Sequence, residues 1–360
     1  MSDLDNKELQ GKIVPLVVTV LIAAVGAYFF RQCWRQWKSR IPDLQGYRFR
    51  EQETIGEGGF GVVKKCTYTT STDTTGRLCA MKVLKKSDGD LKVDWEHEAR
   101  RLAQLEGHRN VVRILGADSI VEGGRMAFRI VTEYIPKGPL SRHLSNGFFS
   151  SKPWLFKLQV ARGVCEGLRY IHGRGIIHMD LKSDNILLGE GNLPKIADFG
   201  LARYRPHSFL SREYRGPVGG DARYISPECC VTNEDTLHAL GEAQTAGAGA
   251  GYDRAAFVKA LLARVEGRIT KASDMFSLGI VLWEIAAGRV TGLRSDADIQ
   301  RGAFYGDVRA SKVQFFNPAI TGCVKASATD RISIDRAATL FDGQDTEARR
   351  LDAEPGCVVM

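Results

Sequence analysis

The run His178-Met179-Asp180-Leu181-Lys182-Ser183-Asp184-Asn185 is followed, thirteen residues after Asn185, by Asp198-Phe199-Gly200. Phosphoryl transfer asks for a carboxylate that orients the attacking hydroxyl, a cation for the transferring group and hard oxygen ligands for Mg²⁺. Asp180, Lys182, Asn185 and Asp198 supply those groups within one short stretch. Polar loops without catalysis are the plainer reading of each residue alone, and the complete set argues against it. Further upstream, Ala80-Met81-Lys82-Val83 places a lone Lys on an apolar strand. Buried lysines are rare unless paired, and the natural partner is Glu98 on the following helix. So held, Lys82 would present its ammonium to nucleotide phosphates; a surface Lys is the alternative. Gly56-Glu57-Gly58-Gly59-Phe60-Gly61-Val62-Val63 is weak by itself, being compatible with a dinucleotide-binding turn or a flexible hairpin. A dinucleotide fold would open a helix at Gly61, whereas Val62, Val63 and the stretch after Cys66 continue as strand. That suits a glycine flap able to close over phosphates without Cβ clashes.

The elements that must carry these groups follow from periodicity. Residues 52–63 read as strand, Gly-rich turn and strand, and 78–84 as a short apolar strand. Asp94 to Leu105 has a helical period, strands follow near 111–115 and 127–133, and long helical patterns run over Trp154–His172 and Asp274–Ala287. A strand-rich first part before a helix-rich second part predicts an α+β, two-lobed domain.

With these motifs in this order and spacing, segment 47–342 resembles a eukaryotic-type protein kinase catalytic domain. The resemblance implies ATP and Mg²⁺ as cofactors and proteins as substrates. It implies that Gly56, Gly58 and Gly61 cover the nucleotide and that Lys82, paired with Glu98, contacts the α- and β-phosphates. Ile130-Val131-Thr132-Glu133-Tyr134-Ile135 looks like the hinge, with Thr132 as gatekeeper and backbone groups of Glu133 and Ile135 binding adenine between Val63, Ala80 and Leu187. Asp180 is the implied catalytic base, Lys182 a phosphate contact, and Asn185 and Asp198 the Mg²⁺ ligands. Glu228 of Ser226-Pro227-Glu228 would pair with Arg331, and Asp274 would brace the catalytic loop. Lys182, two positions after Asp180, is similar to the Ser/Thr form of that loop, while the hinge looks tyrosine-kinase-like; the combination resembles the tyrosine-kinase-like group of Ser/Thr kinases.

Three departures from the family pattern stand out. Met179 replaces the Arg that in many members binds an activation-loop phosphate. Asp221 replaces a Thr that usually bridges the catalytic Asp and Lys; a carboxylate there is expected to compete with Asp180 for Lys182. Glu228 to Asp274 spans 46 residues and includes the Gly/Ala stretch 241–251, which marks an insertion over about 229–269, either a solvated loop or a docking element. A catalytically silent kinase-like scaffold at the membrane is the alternative that these departures keep open.

Of 360 residues, 44% are hydrophobic, 26% charged and 9% aromatic, which excludes a fully disordered, collagen-like or disulfide-dense chain. Eight Cys without a CxxC pair suggest reduced thiols. The net charge of +8 could serve nucleic acid or an anionic membrane. Its placement favours the membrane. Ile13–Phe30 is eighteen residues without a charge, spanning about 27 Å as a helix, and is read as a single transmembrane span. Residues 1–12 carry two basic residues and 31–50 carry six, so the kinase domain is expected on the cytosolic side, with the basic segment 31–46 against anionic lipid. No nucleic-acid partner is expected. Residues 1–12 are then a short non-cytosolic N-terminus, too small for a ligand-binding ectodomain, and 343–360 a C-terminal tail whose Cys357-Val358-Val359-Met360 fits a prenylation motif.

Overall fold

The computed structural model describes residues 41–42, 44–58, 61–84, 90–122, 125–200, 202–204, 221, 223–229, 235, 238–239, 242, 263–265, 267–292 and 315–353. The apolar run 13–30, most of the basic segment 31–46, most of the insertion and residues 354–360 lie outside the described residues. Among the described residues no helix is long and apolar enough to cross a membrane.

The first lobe is one antiparallel sheet of β1 (Arg48–Gly58), β2 (Gly61–Thr69), β3 (Arg77–Leu84), β4 (Ile114–Glu122) and β5 (Arg125–Glu133), in the order β1-β2-β3-β5-β4. Two register shifts in β1, at Glu51/Glu53 and Thr54/Gly56, bend it where it pairs with β2. Helix α1 (Asp90–Gln104) interrupts the strands and packs on β4 and β5, with Ala99 and Leu102 buried in the core. The expected strand at 111–115 lies further on, at Ile114–Glu122. Val111 instead makes a single bridge to Ile196 of the other lobe. Its run was apolar because it is a buried junction between lobes rather than a ladder.

The second lobe is built on α3 (Trp154–Gly173), which follows the short α2 (Leu140–Ser145). Leu158, Ala161, Val164, Cys165, Leu168 and Ile171 recur at three- and four-residue steps and are all buried. Gly163 and Gly167 let Pro194 and Asn110 come close: a Cβ would meet Pro194 Cγ at 2.5 Å and the Asn110 carbonyl oxygen at 2.7 Å. After the two-residue β6 (Ile176–Ile177) come β7 (Ile186–Leu188) and β8 (Pro194–Ile196), a hairpin pairing Ile186 with Ile196. β9 (Arg203–Tyr204) returns to β6. Helix α4 (Lys271–Ala287) is buried from Ser273 through Ala286, as its nearly unbroken apolar sequence requires. Its start is closed by Thr270, whose hydroxyl accepts from the Ala272 N–H at 3.2 Å while the Ser273 hydroxyl accepts from the Thr270 N–H at 3.2 Å.

Among the described residues, three short helices follow: α5 (Asn317–Cys323), α6 (Ile334–Thr339) and α7 (Asp345–Ala353). The last falls in the segment read from sequence as tail. It packs on α3, and its Asp352 carboxylate accepts the N–H groups of Trp154 at 2.5 Å and Leu155 at 3.2 Å. Pro153, at the N-cap of α3, has no side-chain acceptor to offer, so the cap comes from the far end of the domain.

Candidate active site

Between the lobes lies a cleft of about 580 Å³. Its upper wall is sheet. Gly56 and Val63 come from β1 and β2, and Ala80 and Lys82 from β3, where Val63 pairs with Lys82 and Ala80 with Thr132. Thr132, Glu133 and Ile135 form the back edge, and Leu187 of β7 the floor. The Ile135 N–H has no partner among the described residues, while its carbonyl accepts from Gly138 at 3.1 Å. Gly58 pairs with Gly61 at the tip of the β1–β2 flap and does not line the cleft. Gly61 has φ +135°, and a Cβ there would meet the Val83 carbonyl oxygen at 2.4 Å, so the flap closes on β3 only with glycine.

Lys82 is the junction of the site. Its Nζ donates to Glu98 Oε1 and Oε2 at 2.8 and 3.0 Å and to Asp198 Oδ1 at 2.8 Å. Burial opposes the charge on this ammonium, but the two carboxylates overcome it and raise its pKa above the ordinary Lys value. Glu98, on α1, is buried, which fixes the helix to the strand. Asp198 sits at φ +60°; burial would raise its pKa, but the Lys82 cation and the Gly200 N–H hold it below the usual range.

The catalytic-loop residues converge from below. Lys182 Nζ lies 2.9 Å from Asp180 Oδ2, and Asn185 Nδ2 donates to the same oxygen at 2.9 Å and to the Asp180 carbonyl at 2.8 Å. Asp180 Oδ1 has no hydrogen-bond partner among the described residues, which leaves an acceptor for an incoming hydroxyl. The β7–β8 hairpin sets Asn185 and Asp198 at its two open ends, with the Ala197 N–H donating to the Asn185 carbonyl at 2.8 Å. Asp198 Oδ2 and Asn185 Oδ1 take no bond among the described residues. Two unengaged oxygens at one hairpin mouth fit a Mg²⁺ ion, whose ligands are oxygen.

Supports behind the loop match the expected pairs. Asp274 Oδ2 accepts from the His178 N–H at 2.7 Å and His172 Nε2 at 2.8 Å, and Oδ1 from the Met179 N–H at 2.8 Å. Burial alone would raise the pKa of Asp274; the hydrogen bond from His172 and the backbone N–H of His178 hold it down. Arg331 meets Glu228, as expected. Met179 has φ +69°, and its side chain packs against the apolar group of Ile177, Cys229 and Ile269.

Asp221 departs from expectation. It does not draw Lys182 away from Asp180. The Arg223 side chain takes it instead, Nε donating to Oδ1 and Oδ2 at 3.0 and 3.1 Å and Nη2 to Oδ2, while the Arg223 N–H donates to Oδ1 at 3.0 Å. Arg223 was not foreseen as part of the site, although its place two residues after Asp221 is the spacing of a local turn bond. Also unforeseen is a buried relay in which the Tyr224 hydroxyl donates to Glu284 Oε1 at 2.8 Å and lies 2.9 Å from the Ser183 hydroxyl.

Comparison with known proteins agrees with this geometry. The protein kinase domain family matches residues 49–239. The chain is 31% identical over 261 residues to the probable serine/threonine-protein kinase PBL4 of Arabidopsis thaliana, covering 70% of this chain and 53% of that protein. It is 30% identical over 275 residues to the probable serine/threonine-protein kinase PBL18 of the same plant, covering 72% and 61%. To its calmodulin-binding receptor-like cytoplasmic kinase 3 it is 32% identical over 255 residues, covering 70% and 41%. The chain thus spans roughly half the length of these curated relatives.

Proposed function

The chain belongs to the protein kinase family, and from that premise we propose that it is a membrane-anchored Ser/Thr kinase transferring the γ-phosphoryl group of Mg·ATP to protein hydroxyls. The observation that supports catalysis over a silent scaffold is the Lys82 ammonium bonded at once to Glu98 and Asp198, which joins strand β3, helix α1 and the end of the β7–β8 hairpin. In this reading Lys82 holds the nucleotide phosphates, and the flap from Gly56 to Gly61 excludes water above them. Thr132, Glu133 and Ile135 seat the adenine, with Val63, Ala80 and Leu187 on its faces. Asp180 orients the substrate hydroxyl through Oδ1 and receives its proton, while Lys182, at 2.9 Å from Oδ2, stabilises charge on the transferring group. Asn185 and Asp198 would hold Mg²⁺, which would supply positive charge against the nucleotide phosphates. Ser/Thr specificity is the reading that Lys182, in its position two residues after Asp180, and the named relatives favour.

Membrane anchoring rests on the sequence: the uncharged run Ile13–Phe30 and the six basic residues of 31–50 behind it, a lipid-facing partner surface with the kinase domain in the cytosol. Two experiments test the proposal. The full chain with Mg·ATP and a generic protein substrate should yield phosphoserine or phosphothreonine, and Asp180→Asn should not; equal label from both sinks the catalytic reading. Protease added to the cytosolic face of sealed vesicles should digest residues 47–360; protection of the kinase domain would reverse the orientation.

A further inference from the structure

We propose that Arg223 is a positioning residue that keeps Asp221 from capturing Lys182, so that Lys182 stays on Asp180. The inference rests on the kinase reading above. Three carboxylates and two cations share this corner: Asp180, Asp184, Asp221, Lys182 and Arg223. Their sum is one negative charge, so a cation withdrawn from any carboxylate is drawn by another. Lys182 pairs with Asp180 at 2.9 Å, yet its charge is also felt at Asp221, where it is among the influences that favour the ionised carboxylate. Arg223, on Asp221 at one end and 3.6 Å from Asp184 Oδ2 at the other, brings Asp221 to the loop that carries Lys182, so the two acids compete for one flexible ammonium.

Geometry settles the competition. The Arg223 guanidinium spans both Asp221 oxygens, and the Arg223 N–H adds a bond to Oδ1, so the carboxylate is occupied on both edges. A planar fork engages two oxygens where an ammonium supplies only a point charge, so Lys182 is the weaker bidder. The fork is itself held. Arg223 Nη2 lies 3.6 Å from Asp184 Oδ2, and its guanidinium carbon lies 5.4 Å from the centre of the Tyr224 ring, which hydrogen bonding ties to Ser183 of the catalytic loop. Only about a fifth of the Arg223 and Asp221 side chains is exposed, so water screens the pair weakly. Without Arg223, Asp221 would remain a partly buried anion beside Lys182 with its nearest cation gone. Rotation of the Lys182 side chain toward it would uncover Asp180 Oδ2 and move positive charge off the path of the transferring group.

A double-mutant cycle on the full chain tests this, with kcat and KM measured for Mg·ATP and myelin basic protein, and Asp180→Asn as background. Arg223→Gln is expected to lower kcat at least tenfold, which is about 1.4 kcal/mol of transition-state stabilisation, with the KM for ATP little changed. Asp221→Thr, which removes the competing carboxylate, is expected to make Arg223 dispensable: Arg223→Gln in that background should cost less than threefold. Because Arg223 and Asp221 touch, a merely structural pair would show the same coupling in unfolding free energy as in kcat; a kcat loss that only follows a loss of stability overturns the inference, as does an equal kcat loss in both backgrounds or an Arg223→Gln enzyme with wild-type kcat. If Arg223→Gln does not fold, Arg223→Lys keeps the charge but loses the fork; it should show an intermediate loss that Asp221→Thr again relieves, and a loss not so relieved counts against the inference. Wild-type protein with no activity above Asp180→Asn overturns the kinase reading itself, and this inference with it.

Discussion

The guanidinium of Arg331 grips the Glu228 carboxylate through two bonds of 2.7 Å, one to each oxygen, across 103 residues of sequence. The Arg331 side chain is wholly buried and also donates to the carbonyls of Ala272, Lys325 and Ala326. Ser273, at the start of α4, donates to the same carboxylate at 3.0 Å. The two ends of the long insertion are thereby tied at one carboxylate.

Arg331→Ala should therefore lower the unfolding free energy by about 3–5 kcal/mol, the cost of leaving one member of a buried pair alone. Arg331→Lys should recover little of it, because an ammonium cannot make both bonds at once. Chemical denaturation of the three proteins reads the difference; full recovery by Lys would show that charge alone matters.

Lys82→Met and Asp198→Ala should each reduce kcat by at least about a hundredfold, the scale of removing a charged group that stabilises the transition state. The melting temperature should change much less for Asp198→Ala than for Lys82→Met, because Glu98 is buried and would lose the one cation that lies at bonding distance among the described residues. Steady-state kinetics beside thermal melts separates the two effects.

Much of this site is legible in sequence because its groups sit in short contiguous runs. Asp180, Lys182 and Asn185 converge since a tight loop leaves them nowhere else to go, and Asn185 and Asp198 flank a hairpin whose strands are three residues each. Lys82 and Glu98 could be paired because a charged strand residue needs a partner. The role of Arg223 is not legible in the sequence because its chemistry depends on which way a turn folds, and alternation or periodicity carries no such information. Gly163 and Gly167 look like poor helix residues until Asn110 and Pro194 are seen pressed against them. The final helix has a charged, mostly exposed sequence, and its one fully buried residue, Ala348, gives little apolar signal.

Glu284 gives a pH signature. Burial raises its pKa from 4.5 to about 7, against the bonds it accepts from Thr291 and Tyr224. The folded state therefore holds a proton that the unfolded chain has released between these values. Its contribution to stability is complete below about pH 4.5 and is lost as pH rises through about 7, an effect of the order of 3 kcal/mol. Relative to Glu284→Gln, wild-type protein should lose stability steadily across that window. A difference between the two that is flat in pH would show that Glu284 titrates normally.

Met179 bears on regulation. A cation at this position could bind a phosphate on the activation loop, but a thioether seated among Ile177, Cys229 and Ile269 cannot. Phosphatase treatment, or Ser208→Ala with Ser211→Ala, should change kcat/KM by less than about tenfold, or ~1.4 kcal/mol. These two serines lie outside the described residues. A larger loss would mean that another cation anchors the phosphate.

The Asp352 cap on α3 has a consequence for how the protein is made. Synthesis runs from the N-terminus, and the central helix leaves the ribosome 198 residues before the carboxylate that accepts its first N–H. While those residues are made, the helix waits with Trp154 and Leu155 uncapped and its apolar stripe only partly covered. A chain stalled before residue 352 lacks this cap, worth about 0.5–2 kcal/mol, and lacks part of the cover that the last described helix gives α3, however complete its catalytic motifs already are.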